Sequence, residues 1–316
     1  MLEKILGALL PAVITILLGY FAARHHDFKQ KEVPTLNKMV ISYALPLSLF
    51  VGVVSAGRAQ LLADLPLAIV LAIALIGTYA AVFLVCRIGF RYPAGFSALG
   101  ALASSAPSSA FVGAAVLGYL YGAKADIPVA IGSILIVLAL VPVTLIILSL
   151  QADEQPGRGD AASSDPDVAG KIVAALRQPV VWLPLCGFIV VLLGIPVPKV
   201  IQNSLSLLGH ASAGVALFVS GIIIAGYRVV VNGPVLSFVL VKNIVQPGLV
   251  WGALLWFGYA NPLLGEAVLT VALPSVVLAV MLSVQYKVAT AEMASALLIS
   301  TLGAIVTMSG FILLVD

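Results

Sequence analysis

A chain of 316 residues with 62% hydrophobic and 9% charged residues is not a soluble domain, in which near half the residues are apolar and about a quarter charged. Such a composition calls for several bilayer-crossing segments of roughly 20 apolar residues each. The net charge of +3 is too small to argue for nucleic acid, and His25, His26 and His210 lack metal-ligand spacing with acids or cysteines, which argues against a metalloenzyme and a bound cofactor.

In chain order, ten spans are predicted. The first, 5–23, has no small-residue cleavage site after it and reads as a span, not as a signal peptide. Four more follow at 36–54, 65–88, 96–121 and 127–149. A polar stretch rich in Asp, Gly, Ser and Pro then interrupts the pattern. Beyond it lie spans 179–195, 204–226, 235–257, 266–287 and 292–314, separated by turn-forming sequences such as "YRVVVNGP" and "GYANPLLG". The expected organisation is therefore a first five-helix repeat at 1–150, a linker loop at 151–178 and a second five-helix repeat at 179–316. Cys86 and Cys186 both fall in apolar spans and are expected as free thiols.

Ten spans place eleven lysines and arginines on one side and four on the other, with Lys242 inside span 8. Basic residues are retained in the cytoplasm, so both termini are expected outside and the loop 151–178 inside. Five spans per half make the halves antiparallel, an inverted repeat. Span 4 carries Pro107-Ser108 and span 9 carries Pro274-Ser275, and a tyrosine, Tyr119 or Tyr286, follows each proline at the same spacing.

The stretch "LASSAPSSAFVGAAVLG", 102–118, places a proline among four serines inside span 4. At 1.5 Å per residue Pro107 is roughly 16 Å deep, and Pro274 about 12 Å deep from the opposite face. A proline removes one donor and frees the carbonyl four residues earlier. Backbone left unpaired at such depth must be satisfied by protein or by a water-filled cavity. A plain kink with serines on the freed carbonyls explains one such helix. Matched breaks in two halves point to a transporter's binding site. The second half-helices would begin there, and their N-termini together with Ser108, Ser109 and Ser275 favour an anion. The stripe Ala110, Ala114, Gly118 is expected to serve close helix packing.

The remaining candidates are polar residues in span 8. Lys242 lies about 10 Å deep, and an intramembrane lysine is a functional candidate by default. It reads either as a snorkelling side chain or as a fixed cation near the anion. Asn243 and Gln246 share its neighbourhood, Gln246 one turn on. Asn37 and Lys38 read as capping and snorkelling residues, His210 as a helix-packing residue, and Glu266 and Glu292 as helix-dipole partners. No acidic residue falls in a span interior, which argues mildly against a carboxylate site for sodium or protons.

Several stretches resemble the auxin efflux carrier family: "LNKMVISYALPLSLF" (36–50), "APSSAFVGAAVLGYLYG" (106–122), "LGHASAGVALFVSG" (208–221), "VKNIVQPGLV" (241–250) and "ALPSVVLAVMLSVQYKV" (272–288). The resemblance implies an all-α membrane protein of ten helices in two inverted five-helix repeats. Broken helices 4 and 9 would cross near the midplane and move an organic anion by alternating access. It places the substrate beside the crossover of Pro107 and Pro274; Ser105, Ser108, Ser109 and Ser275 are the neighbouring candidates, with Lys242, Asn243 and Gln246 as the additional candidates from span 8. The family's asparagine after the first proline is Ser108 here, its second span-4 proline is Ala115, and an acid common in plant members is His210. These departures weigh against auxin as the substrate. The expectation is a secondary transporter in a bacterial-type cytoplasmic membrane, carrying malonate or a similar carboxylate. The alternative is an anion channel or membrane sensor of the same fold. The expected partners are the small anion and the lipid bilayer. Coupling to protons or sodium, and a homodimeric state, stay open at this stage. No catalytic cluster is found in the spans, so no enzymatic activity is expected.

Overall fold

The computed structural model describes residues 2–56, 64–152, 170, 173, 174 and 176–315. The expected linker 151–178 lies mostly outside the described residues. Every regular element among the described residues is helical. Among the described residues, six helices are long and apolar enough to cross a membrane. We label the elements α1 (Leu2–Arg24), α2 (Gln30–Ser55), α3 (Leu65–Gly89), α4 (Ala94–Ser105), α5 (109–121), α6 (Ile127–Gln151), α7 (Pro179–Leu192), α8 (Lys199–Gly226), α9 (Gly233–Trp256), α10 (Leu263–Ala272), α11 (Val277–Tyr286) and α12 (Thr290–Val315). The six are α2, α3, α6, α8, α9 and α12. The segments expected as spans 4 and 9 are each two shorter helices, α4 with α5 and α10 with α11, parted at Pro107 and Pro274.

Local sequence explains several departures from ideal α-geometry. The turns Val40–Ala44 in α2, Ile136–Leu140 in α6 and Val241–Val245 in α9 are π-helical. Each ends two residues before a proline: Pro46, Pro142 and Pro247. A proline has no N–H for the carbonyl four residues back, so the helix widens just ahead of it. In α9 this widened turn carries Lys242 and Asn243, and both side chains are buried.

Two groups of helices are evident from their packing. In one, α1 lies along α8, and α2 packs against both α7 and α8. In the other, α3 packs on α4, α6 and α10, and α4 on α6 and α9; α9 packs on α10 and α12, and α10 on α12. Glycines set the closest approach in the first group. A Cβ on Gly19 would stand 1.9 Å from Phe218 O, and one on Gly221 would stand 2.0 Å from Ile16 O. Only glycine permits two backbones to meet so closely, which lengthens the van der Waals contact that drives helix association in lipid. In the expected stripe, a Cβ on Gly118 would meet nothing within 4 Å. The closest backbone approaches in the first group are at Gly19 and Gly221. Cys86 is buried, Cys186 is exposed, and both are free.

Candidate functional site

The two breaks meet. Ser108 N donates to Pro274 O at 2.9 Å, and Val276 N donates to Ala106 O at 3.1 Å. Pro107 and Ser275 thus face each other in a short antiparallel bridge. Ala106 and Val276 are extended, with ψ of 119° and 129°, as such pairing requires. Two helices that each lose their internal ladder therefore satisfy one another across the gap, and the backbone needs no water at these positions.

Proline also releases a carbonyl, and the structure shows where it goes. Counting four residues back from Pro107 gives Ala103 O, which accepts the Ser275 hydroxyl at 2.8 Å. Ser275 N donates to Ser300 Oγ at 2.9 Å on α12. Ser300 Oγ donates to Asn243 Oδ1 at 2.7 Å, and Asn243 Nδ2 returns a bond to Ser300 O at 2.8 Å. Asn243 is thus tied through Ser300 to the break at Pro274-Ser275, and through Ser275 onward to Ala103 beside the first break. Sequence reasoning did not single out Ser300, and a serine in the middle of an apolar helix gave no signal for it.

Span 8 supplies a second anchor. The Lys242 side chain is fully buried, and its ammonium donates to Val271 O at 2.6 Å and to Gln246 Oε1 at 2.9 Å. Gln246 Nε2 donates to Ser105 O at 2.9 Å and to Ala74 O at 3.3 Å. Lys242 therefore does not snorkel. It and Gln246 bind carbonyls at the C-terminal ends of α10 and α4, where helices leave acceptors unpaired and carry partial negative charge. Ser105 keeps its own hydroxyl on Ala101 O at 2.7 Å.

Ser108 and Ser109 stand apart from these anchors. Both are buried, and neither hydroxyl has a hydrogen-bond partner among the described residues. They lie at the start of α5, where helix N–H groups have no partner within the helix. Two further buried hydroxyls are likewise unpartnered, Ser104 near the end of α4 and Ser133 on α6. Ser109 Oγ sits 2.9 Å from where a Cβ of Gly132 would be, so the serine occupies the space that this glycine leaves on α6. Next to this contact is a cavity of about 320 Å³ between α2, α5 and α6. Its lining includes Ser48, Ser55, Ala110, Ala130 and Ser133. Asn37 is not at the surface as a capping residue would be. It is buried, and its amide donates to Met281 O of α11 at 2.8 Å, so α2 is docked onto the second broken segment.

The nine sequence-derived candidates thus fall at one crossover with different duties. Pro107, Pro274, Ser275, Asn243, Lys242, Gln246 and the Ser105 carbonyl hold the crossover together. Ser108 and Ser109 keep free hydroxyls. Among the described residues, no group of three or more His, Cys, Asp or Glu could hold a metal ion.

Comparison with known proteins identifies the family. Residues 4–312 match the family model described as "Membrane transport protein". The "Uncharacterized transporter YfdV" of Escherichia coli K12 is 30% identical over 313 residues, covering 97% of this chain and 96% of that protein. The same-named proteins of Escherichia coli O157:H7 and Shigella flexneri match equally. The apolar helices, the paired breaks and the match across nearly the whole chain lead to one assignment: this protein belongs to the auxin efflux carrier family of membrane transport proteins.

Proposed function

We propose that the protein is a secondary carrier for a small organic anion, malonate or a similar carboxylate, built as two inverted five-helix repeats and working by alternating access. The observation that carries this reading is the pair of buried, unpartnered hydroxyls of Ser108 and Ser109 at the first turn of α5. A buried donor without a partner costs roughly 1–3 kcal/mol, and a carboxylate with several lone pairs would recover that cost. The helix N-terminus adds partial positive charge. The adjoining cavity of about 320 Å³ is at the small end of ligand sites, which span roughly 300–1,000 Å³, and suits a short carboxylate better than a bulky one.

The packing supports the repeat. Exchanging α1 with α7, α2 with α8, α3 with α9, α4 with α10 and α6 with α12 turns each of several pairings into another that is present: α1–α8 into α7–α2, α3–α4 into α9–α10, and α4–α6 into α10–α12. The distribution of basic residues supports a cytoplasmic-membrane orientation with both termini outside.

Reconstitution in liposomes tests the function. Preloaded malonate should drive saturable counterflow of labelled malonate, and Ser108→Ala and Ser109→Ala should each weaken it without lowering the melting temperature. Flux that rises linearly at high concentration without counterflow would favour a channel. Absence of flux with every mono- and dicarboxylate would overturn the anion reading.

A further inference from the structure

The Lys242–Gln246 pair has a geometry that the transport of an anion does not call for. Two of the three ammonium protons are spent on Val271 O and Gln246 Oε1. Through Gln246 Nε2 the same unit reaches Ser105 O. Val271 lies one residue before the end of α10, and Ser105 is the last residue of α4. The carbonyl ends of both half-helices that run into the crossover are therefore held by one Lys242–Gln246 unit, α10 by the ammonium directly and α4 through the Gln246 amide. In transporters with broken helices, unwound carbonyls and half-helix C-termini are the groups that coordinate a bound sodium ion or proton. Asn243, the next residue on the widened turn, is directed to Ser300 instead.

We propose that the Lys242 ammonium is a built-in cation that clamps the C-terminal ends of α4 and α10, standing where a bound metal cation would otherwise be needed, so that the crossover keeps its geometry without sodium. Lys242 is then a positioning residue: it acts on the substrate site through the half-helices it holds. The proposal goes beyond the anion reading and does not depend on it, because it can be tested without any substrate.

The test is thermal unfolding of the purified full-length protein at constant ionic strength in sodium, potassium, methylammonium or N-methylglucamine chloride. Wild type should melt at the same temperature in all four. Lys242→Ala should melt several degrees lower in N-methylglucamine and recover in a saturable manner with methylammonium or sodium, which fit the vacated position. Lys242→Met fills that position with an uncharged stem and should show the loss without the recovery. A saturable rise of the wild-type melting temperature with sodium would overturn the proposal. So would Lys242→Ala that melts like wild type in N-methylglucamine, or that stays low in every cation. Recovery of Lys242→Met equal to that of Lys242→Ala would also overturn it, since the cation would then be acting elsewhere. Should Lys242→Ala fold only in methylammonium or sodium, its unfolding on exchange into N-methylglucamine is the expected result.

Discussion

Replacing Ser300 by alanine removes a hydroxyl that serves two groups at once. It accepts from Ser275 N at 2.9 Å and donates to Asn243 Oδ1 at 2.7 Å. Ser300→Ala therefore leaves a backbone donor and a side-chain acceptor unpaired where all three residues are buried. In water-soluble proteins each such orphan costs roughly 1–3 kcal/mol. Side-chain hydrogen bonds between membrane helices measure lower, about 0.6 kcal/mol on average and about 1.7 at most, because the unfolded chain in lipid also finds partners. The Ser275 N–H belongs at the upper end, since proline and the broken ladder leave it no helical alternative. A total of about 1–3 kcal/mol follows for the two bonds. The measurement is thermal or denaturant unfolding of the purified protein, with Ser300→Thr as the control that keeps a hydroxyl. Asn243→Ala should cost a similar amount, and the double variant should lose less than the sum, because both belong to one network. If Ser300→Ala and wild type unfold alike, or if the two losses simply add, this network does not hold the break.

Pro107→Ala restores an N–H whose helical acceptor is Ala103 O, the carbonyl that now takes the Ser275 hydroxyl. The variant should insert and fold while transporting far more slowly, as should Pro274→Ala; normal counterflow in both would make the prolines ordinary kinks. Gly221→Val places a side chain on Ile16 O, which a Cβ would already approach to 2.0 Å, so α1 must separate from α8 and folded yield should fall sharply; wild-type yield and melting would refute the close contact. Ser163→Cys, in the expected linker, should resist an impermeant thiol reagent in intact cells and react after permeabilisation, whereas ready labelling from outside would reverse the orientation.

The sequence by itself determined what depends on composition and on neighbours in the chain. Runs of apolar residues must be helical in lipid, and their lengths set the segments: Leu65–Gly89 was expected at 65–88 and Thr290–Val315 at 292–314. The breaks at Pro107 and Pro274 were legible for the same reason, because proline acts on its own turn. Sequence also brought Lys242, Asn243 and Gln246 forward, since polar groups in an apolar helix must find partners. It could not say which partners. Ser275 bonds Ala103 across 172 residues and Asn37 bonds Met281 across 244, and those acceptors are backbone carbonyls, identical at every position of the chain. Nor could it separate Ser108 and Ser109, whose hydroxyls remain free, from Ser275, whose hydroxyl is spent. The same residue type in the same motif takes either role according to which carbonyl the crossing of α4–α5 and α10–α11 brings within reach. Gly19 and Gly221 show the same limit. Both are ordinary small residues in apolar helices, and only the approach of α1 to α8 makes the absence of a side chain decisive there. Hydrogen bonds and close contacts act over a few ångströms, so the pairing of distant segments, which the tertiary structure decides, fixes what each polar or small residue does.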